Sequence, residues 1–224
     1  VSGRGAWRRA LVALAALGLA APGARAAELA GRVELVEGGR PAGGAEQAVV
    51  WFEPERAVPP PPAVDVAMTT HRKRFDPRVL VVPVGSIVRF PNRDPILHNV
   101  FSISGGNAFD LGLIGGGEGG SARFVEAGVV RVFCNVHHRM VGYVVVVDTP
   151  FSTAPAPDGA FRLSGLPAGP GELVVWHERG EPLRQRVDPA SGPPPALRLE
   201  LTRPLVPVHL NKLGRPYDPA RDRY

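Results

Sequence analysis

From about Val64 onward, turn residues cut the chain every few positions, and that punctuation decides the fold class. Val79-Leu80-Val81-Val82, Ile87-Val88-Arg89-Phe90 and residues 99–103 are strand formers separated by Pro83, Gly85 and a loop over 91–95. Two stronger runs follow, 129–134 and 141–147. Alternation in the first puts Val130, Val132 and Cys134 on one face and Arg131 and Phe133 on the other. Cys134 therefore points inward at the end of a core strand. No segment carries an amphipathic helical period, so the expected class is all-β.

The flanks read the same way. Leu29, Val33, Leu35 and Val49-Val50-Trp51-Phe52 are strand formers, with turns at Gly38-Gly39 and Pro41-Ala42-Gly43-Gly44. Residues 59–62 are a polyproline run that works as a stiff spacer. Downstream, Phe161-Arg162-Leu163 follows an Asp158-Gly159 turn, and 173–176 and 196–201 complete the strands. The stretch 105–120 is glycine-rich and encloses Phe109, Leu111, Leu113 and Ile114; it reads as a flexible connection. Gly115 to Gly120 has phosphate-loop spacing, but no lysine follows and no strand-to-helix context surrounds it. The proline-punctuated tail, 204–224, is expected to lie over the surface.

The first 26 residues read as a signal peptide. Arg8 and Arg9 precede an apolar run over 10–21, and Ala24-Arg25-Ala26 supplies small residues at an A-x-A cut. That run is too short to span a bilayer. The mature chain is expected to begin near Ala27, periplasmic or otherwise exported, with no membrane anchor. Four arginines and no acids leave with the leader, so 22 basic residues then face 21 acidic ones. The basic balance of the full chain therefore gives no case for a nucleic-acid partner. The longest basic block left, His71-Arg72-Lys73-Arg74, reads as a solvated strand edge.

A lone cysteine in an exported chain forms no internal disulfide and calls for another explanation. Cys134, His137 and Met140 follow one another at three-residue steps, and His98 lies upstream in Pro95-Ile96-Leu97-His98-Asn99. Two imidazoles, a thiolate and a weak axial thioether form the ligand set of a mononuclear blue-copper centre. His98 must come from a neighbouring strand to lock the loop. His138 rivals His137, although three-residue spacing from the cysteine favours His137. Asn99 and Asn135 are candidate braces or donors to the sulfur.

Each residue alone has a plainer reading, since single cysteines and methionines are more often core. The conjunction outweighs it. A binuclear electron-transfer copper centre needs a second cysteine, and multicopper oxidases need extra histidine ligands, often in His-x-His pairs. Structural zinc takes a closed Cys/His set without methionine. A cysteine nucleophile with His98 as base fits poorly beside His-His-Arg-Met. His71, His177 and His209 are scattered and read as surface residues.

Phe75-Asp76-Pro77, the run from Val84-Gly85-Ser86 to Phe90-Pro91-Asn92, Asp94, His98-Asn99-Val100 and Cys134-x-x-His137-x-x-Met140 together resemble the cupredoxins, the plastocyanin, azurin and amicyanin family. The short Cys-x2-His-x2-Met loop is similar to the amicyanin form. The resemblance spans about 64–148 and implies a Greek-key β-barrel with one type 1 copper on His98, Cys134, His137 and Met140. It also implies that electrons pass at the exposed edge of His137, within an apolar patch beside Arg139.

Gly31-Arg32-Val33 with Pro41-Ala42-Gly43, and Asp158-Gly159-x-Phe161-x-Leu163 with Leu166-Pro167-Ala168-Gly169, resemble a carboxypeptidase-regulatory-like β-sandwich split by the barrel. The layout is similar to exported proteins labelled methylamine-utilisation or plastocyanin-like.

The expected division is a signal peptide (1–26), an N-terminal β segment (27–62), a cupredoxin barrel (63–149), a sandwich segment (150–203) and a tail (204–224). The expected function is single-electron transfer between redox partners, such as a c-type cytochrome or a periplasmic dehydrogenase, with no substrate turned over. Copper binding or delivery without an electron-carrier role is the alternative. A third reading makes the outer sandwich an interaction module.

Overall fold

The computed structural model describes residues 27–217 apart from Pro193 and Pro195. The expected signal peptide and residues 218–224 of the tail lie outside the described residues. The chain is all-β, with eighteen strands, three short 3-10 turns and no α-helix among the described residues. In order the strands are β1 (Ala27–Glu37), β2 (Arg40–Ala42), β3 (Val49–Pro54), β4 (Asp65–Ala67), β5 (Thr69–His71), β6 (Arg74–Asp76), β7 (Val79–Pro83), β8 (Ile87–Pro91) and β9 (His98–Ser102). There follow β10 (Phe109–Ile114), β11 (Gly119–Arg123), β12 (Gly128–Phe133), β13 (Val141–Val147), β14 (Ser152–Thr153), β15 (Ala160–Leu166), β16 (Gly171–Trp176), β17 (Leu183–Val187) and β18 (Leu197–Glu200). Among the described residues no helix is long and apolar enough to cross a membrane.

Strands from the two ends of the chain share sheets. β1 pairs antiparallel with β15 through its first half and parallel with β18 through its second, with β2 beside it. The facing sheet runs β14-β3-β16-β17. Leu29, Leu35, Phe52, Leu163, Leu173 and Leu199 pack between them. The central chain forms the other two sheets, β10-β9-β12-β13-β7 and β11-β8-β4, with the β5–β6 hairpin alongside. Phe90, Val100, Phe124, Val132 and Val144 fill the space between these.

A third apolar layer joins the two sandwiches. Val49 and Trp51 of β3 and Val174 and Trp176 of β16 meet Tyr143, Val145 and Val147 of β13. The alternate residues of the same strands face the other way: Val50, Phe52, Leu173 and Val175 into the outer core, Val144 and Val146 into the inner one. Strands covered on both faces must be apolar throughout. That accounts for the unbroken runs at 49–52, 141–147 and 173–176. Each such side chain contributes about 1.5–3 kcal/mol when buried, so the two sandwiches are held as one unit.

The glycine-rich stretch 105–120 is not a flexible connection, contrary to the sequence expectation. It holds β10, which pairs with β9, and the start of β11, which pairs with β8. Phe109 and Leu111 pack on the inner core and Ile114 is buried in it. The pairing slips between Asp110 and Leu113, and Gly112 sits at that slip with a φ of 73°. A glycine is what such a bulge accommodates without strain.

Candidate metal centre

Of the four residues singled out from the sequence, His98, Cys134 and His137 bring their donor atoms within 4.8 Å of one another, and Met140 closes the same loop through its backbone. His98 opens β9, Cys134 follows the last residue of β12, His137 lies in the connecting loop, and Met140 immediately precedes β13. The loop closes on itself: the Cys134 amide donates to the Met140 carbonyl (3.3 Å), and the Met140 amide to the His137 carbonyl (3.0 Å). Val130, Val132 and Cys134 share the inner core, as alternation requires. Met140 is buried in that core too. His98 and Cys134 have no exposed surface, while His137 is half-buried.

Cys134 Sγ lies 3.8 Å from Nδ1 of His98 and 3.8 Å from Nδ1 of His137, and the two nitrogens are 3.2 Å apart. A triangle with those sides has a circumradius of about 2.1 Å, close to the bond length of a d-block ion such as zinc to imidazole nitrogen or thiolate. The three side chains thus fit a bound ion without rearrangement. His138 is not part of this triangle; its ring lies against Tyr217 instead.

The sulfur sits among backbone donors. The His137 amide is 3.4 Å from Sγ. Burial pushes the Cys134 thiol up, against the amides of Asn99, His137 and Val136, which favour the thiolate. In the metal-free protein the thiol therefore keeps its proton at neutral pH, and a metal must displace it.

His98 has an orienting partner that sequence reasoning did not assign. Its Nε2 lies 2.8 Å from Oδ2 of Asp94. With Nδ1 turned toward Cys134, the hydrogen-bond network assigns the ring proton to Nε2, donated to Asp94, leaving the Nδ1 lone pair for a metal. Asp94 is fixed in turn. The Arg72 amide donates to Oδ1 (2.6 Å) and the Lys73 amide to Oδ2 (2.8 Å). Both amides come from the β5–β6 turn, where Arg72 and Lys73 have φ of 52° and 55°. Burial alone would push the Asp94 carboxyl up; Lys73, His98 and Arg72 outweigh it and hold it below the usual carboxylate range.

Asn92 braces the same loop: its Oδ1 accepts from Thr70 and from the Asp94 amide, and its Nδ2 donates to the carbonyls of Ile96 and Ile114. The basic block 71–74 is exposed as expected, but its backbone serves the site.

Asn99 and Asn135 both brace. Asn99 Nδ2 donates to Asp110 Oδ1 and the Gly112 carbonyl (2.7 Å each), tying β9 to β10. Asn135 Oδ1 accepts from the Lys212 amide at 3.0 Å. Two other histidines depart from the surface reading. His177 is buried, and His209 stacks on Phe133 with centroids 4.1 Å apart. His71 is exposed, as read from the sequence.

No protein-family model matches the chain, and no curated protein matches its sequence. Solved structures similar to it include an amicyanin variant in its reduced state, 29% identical over 37% of this chain and 82% of that one, with a TM-score of 0.35. A purple cupredoxin from Nitrosopumilus maritimus is 26% identical over 38% of this chain and 99% of its own, with a TM-score of 0.33. An oxidized amicyanin variant is 25% identical over 45% and 99%, with a TM-score of 0.35.

Proposed function

We propose that this chain is an exported type 1 copper protein that carries single electrons, with His98, Cys134, His137 and Met140 as the metal's ligands. The observation that carries the reading is the buried triangle of one sulfur and two Nδ1 atoms, sized for one ion. Copper bound there supplies a one-electron couple, for which mixed thiolate, imidazole and thioether ligation is suited.

The chain's own residues do the rest. Asp94 and the Arg72–Lys73 turn hold His98 at one angle and in one protonation state. The closed loop 134–140 fixes Cys134 and Met140 between two rigid strands. The apolar core around Cys134 keeps water away from the sulfur. His137 is the ligand with an exposed edge, and the exposed Leu97 and Val136 stand next in sequence to His98 and His137. Such a surface suits brief docking of a redox partner, a c-type cytochrome or a periplasmic dehydrogenase. In this reading the inner sandwich, 63–149, is a cupredoxin barrel inserted in an outer sandwich made of 27–62 and 150–203. Hydrogen bonding of β1 to β15 and of β3 to β16 across the insertion supports that division.

A closed, buried ligand set favours a carrier over a delivery protein, whose ligands need to be reachable for handover. The test is the visible absorption spectrum of residues 27–224 with one equivalent of Cu(II), beside Cys134→Ala. An intense band that is absent from the variant and bleached reversibly by a reductant is expected. A colourless protein, or copper binding that survives loss of Cys134, overturns the reading.

A further inference from the structure

Residues 204–217 do more than lie over the surface. Their course starts at Arg78, whose Nη2 donates to the Leu205 carbonyl at 2.7 Å. His209 then stacks nearly parallel, at 13°, on Phe133, whose ring also meets Phe101. Phe133 is thereby held between β9 and the tail, one residue before Cys134. The Lys212 amide donates to Asn135 Oδ1, one residue after Cys134. Tyr217 directs its hydroxyl to the Cys134 carbonyl, a long contact of 3.4 Å, and its ring packs on His138 and His209.

The tail also reaches the other ligand-bearing segment. Lys212 Nζ is 2.6 Å from Asp110 Oδ2, and the same carboxylate accepts from Asn99, the neighbour of His98. The segment has its own internal order: Asn211 Oδ1 accepts from the amides of Leu213 and Arg215, and the Asn211 amide donates to the Arg215 carbonyl. That is a built turn.

We propose that residues 204–217 are a clamp on the metal centre, in which His209, Lys212 and Tyr217 are positioning residues that hold the cysteine loop against the His98 strand. This rests on the reading that the centre binds a metal. The clamp meets the cysteine loop at Phe133, Asn135 and His138, on the side away from the inner core. Its consequence is kinetic. Metal leaves only when the loop opens, and the loop opens only when the clamp lets go.

The test uses the full mature chain with His209→Ala and Tyr217→Ala combined, beside Tyr217→Phe. In the metal-free protein, hydrogen exchange at the His137 and Met140 amides is expected to speed up by about tenfold. In the copper-loaded protein, removal of metal by an excess of chelator is expected to speed up by a similar factor. Tyr217→Phe keeps the ring contacts and stays near wild type, which a role for the hydroxyl alone does not allow.

Unchanged exchange in the folded double variant overturns the clamp, whether or not copper binds. Failure of the wild type to bind copper overturns the metal reading and leaves the exchange arm standing. Should the double variant not fold, Lys212→Ala disturbs no ring packing and must still speed exchange at the Asn99 amide; no change there overturns the proposal.

Discussion

Removing the Asp94 carboxylate isolates the step from a strained turn to a functional imidazole. In Asp94→Asn the side chain keeps one oxygen where the wild type has two acceptors. If that oxygen takes the Oδ2 position it serves Lys73 and His98, and the Arg72 amide faces an NH2 group. The bond to His98 then persists but loses its charge, which lowers its contribution from about 1.5–3 to about 0.5–1.5 kcal/mol. The difference is about 1 kcal/mol, a five- to tenfold loss of metal affinity.

Asp94→Ala removes the partner entirely and frees the ring to place its proton on Nδ1. The expected loss there is about 100-fold, the upper end for an outer-shell partner of a ligating histidine. The cost to folding is smaller, because Arg72 and Lys73 are exposed and water can take their amides. Competition titration of the apo chain against a chromophoric Cu(I) chelator measures the affinity, and the urea midpoint separately reports the fold. A folded Asp94→Ala protein that binds within twofold of wild type refutes the orienting role.

Three further outcomes follow from the buried ionisable groups. Arg78→Met leaves Glu178, 1% exposed at its side chain, without its guanidinium partner. Urea unfolding should show a loss of about 3–5 kcal/mol, most of it restored by adding Glu178→Met; no loss from the single variant contradicts the pairing. Because burial keeps the Cys134 thiol protonated at neutral pH, loading one metal ion should release one proton from it. Calorimetry in buffers of different ionisation heat measures that number, and a value of zero refutes it. Burial depresses the His177 value below 6.5, against a smaller opposite effect of Glu178. Its contribution to stability is therefore intact above pH 6.5 and is lost as pH falls through the lower folded-state value. Thermal melts should show that acid limb flattened in His177→Gln, and an unchanged limb argues against it.

What the sequence made legible was local chemistry and period. Alternation over 130–134 was enough to send Cys134 inward, and the three-residue steps grouped it with His137 and, as an expectation, with Met140. The donor atoms of Cys134, His98 and His137 do meet, although His98 comes from a different strand. Asp94 could not be assigned by the same means. A carboxylate four residues before a histidine acquires its role only from a hairpin some twenty residues earlier, whose two left-handed residues aim their amides at it. β10 was hidden because its one glycine, Gly112, is spent on a bulge and its flanks are glycine-rich, which mimics a loop in composition. His177 is buried and His209 half-buried against segments far away in the chain, and single-residue reasoning defaults such histidines to the surface.

The third apolar layer bears on why the outer sandwich exists at all. β13 carries Met140 at its entrance and has both faces covered, one by the inner core and one by Trp51, Val174 and Trp176. An inner sandwich on its own would expose Tyr143, Val145 and Val147 together with Phe101 and Phe133, a contiguous apolar face of the kind soluble monomers avoid. The outer sandwich covers that face with β3 and β16. It also sends Glu178 across to Arg78, whose guanidinium donates to the Val141 carbonyl, one residue after Met140. The covering domain therefore reaches the exit of the 134–140 loop through a buried ion pair, and through Arg78 it also anchors the start of the tail at Leu205. Covering the apolar face and bracing the loop are consequences of the same docking geometry.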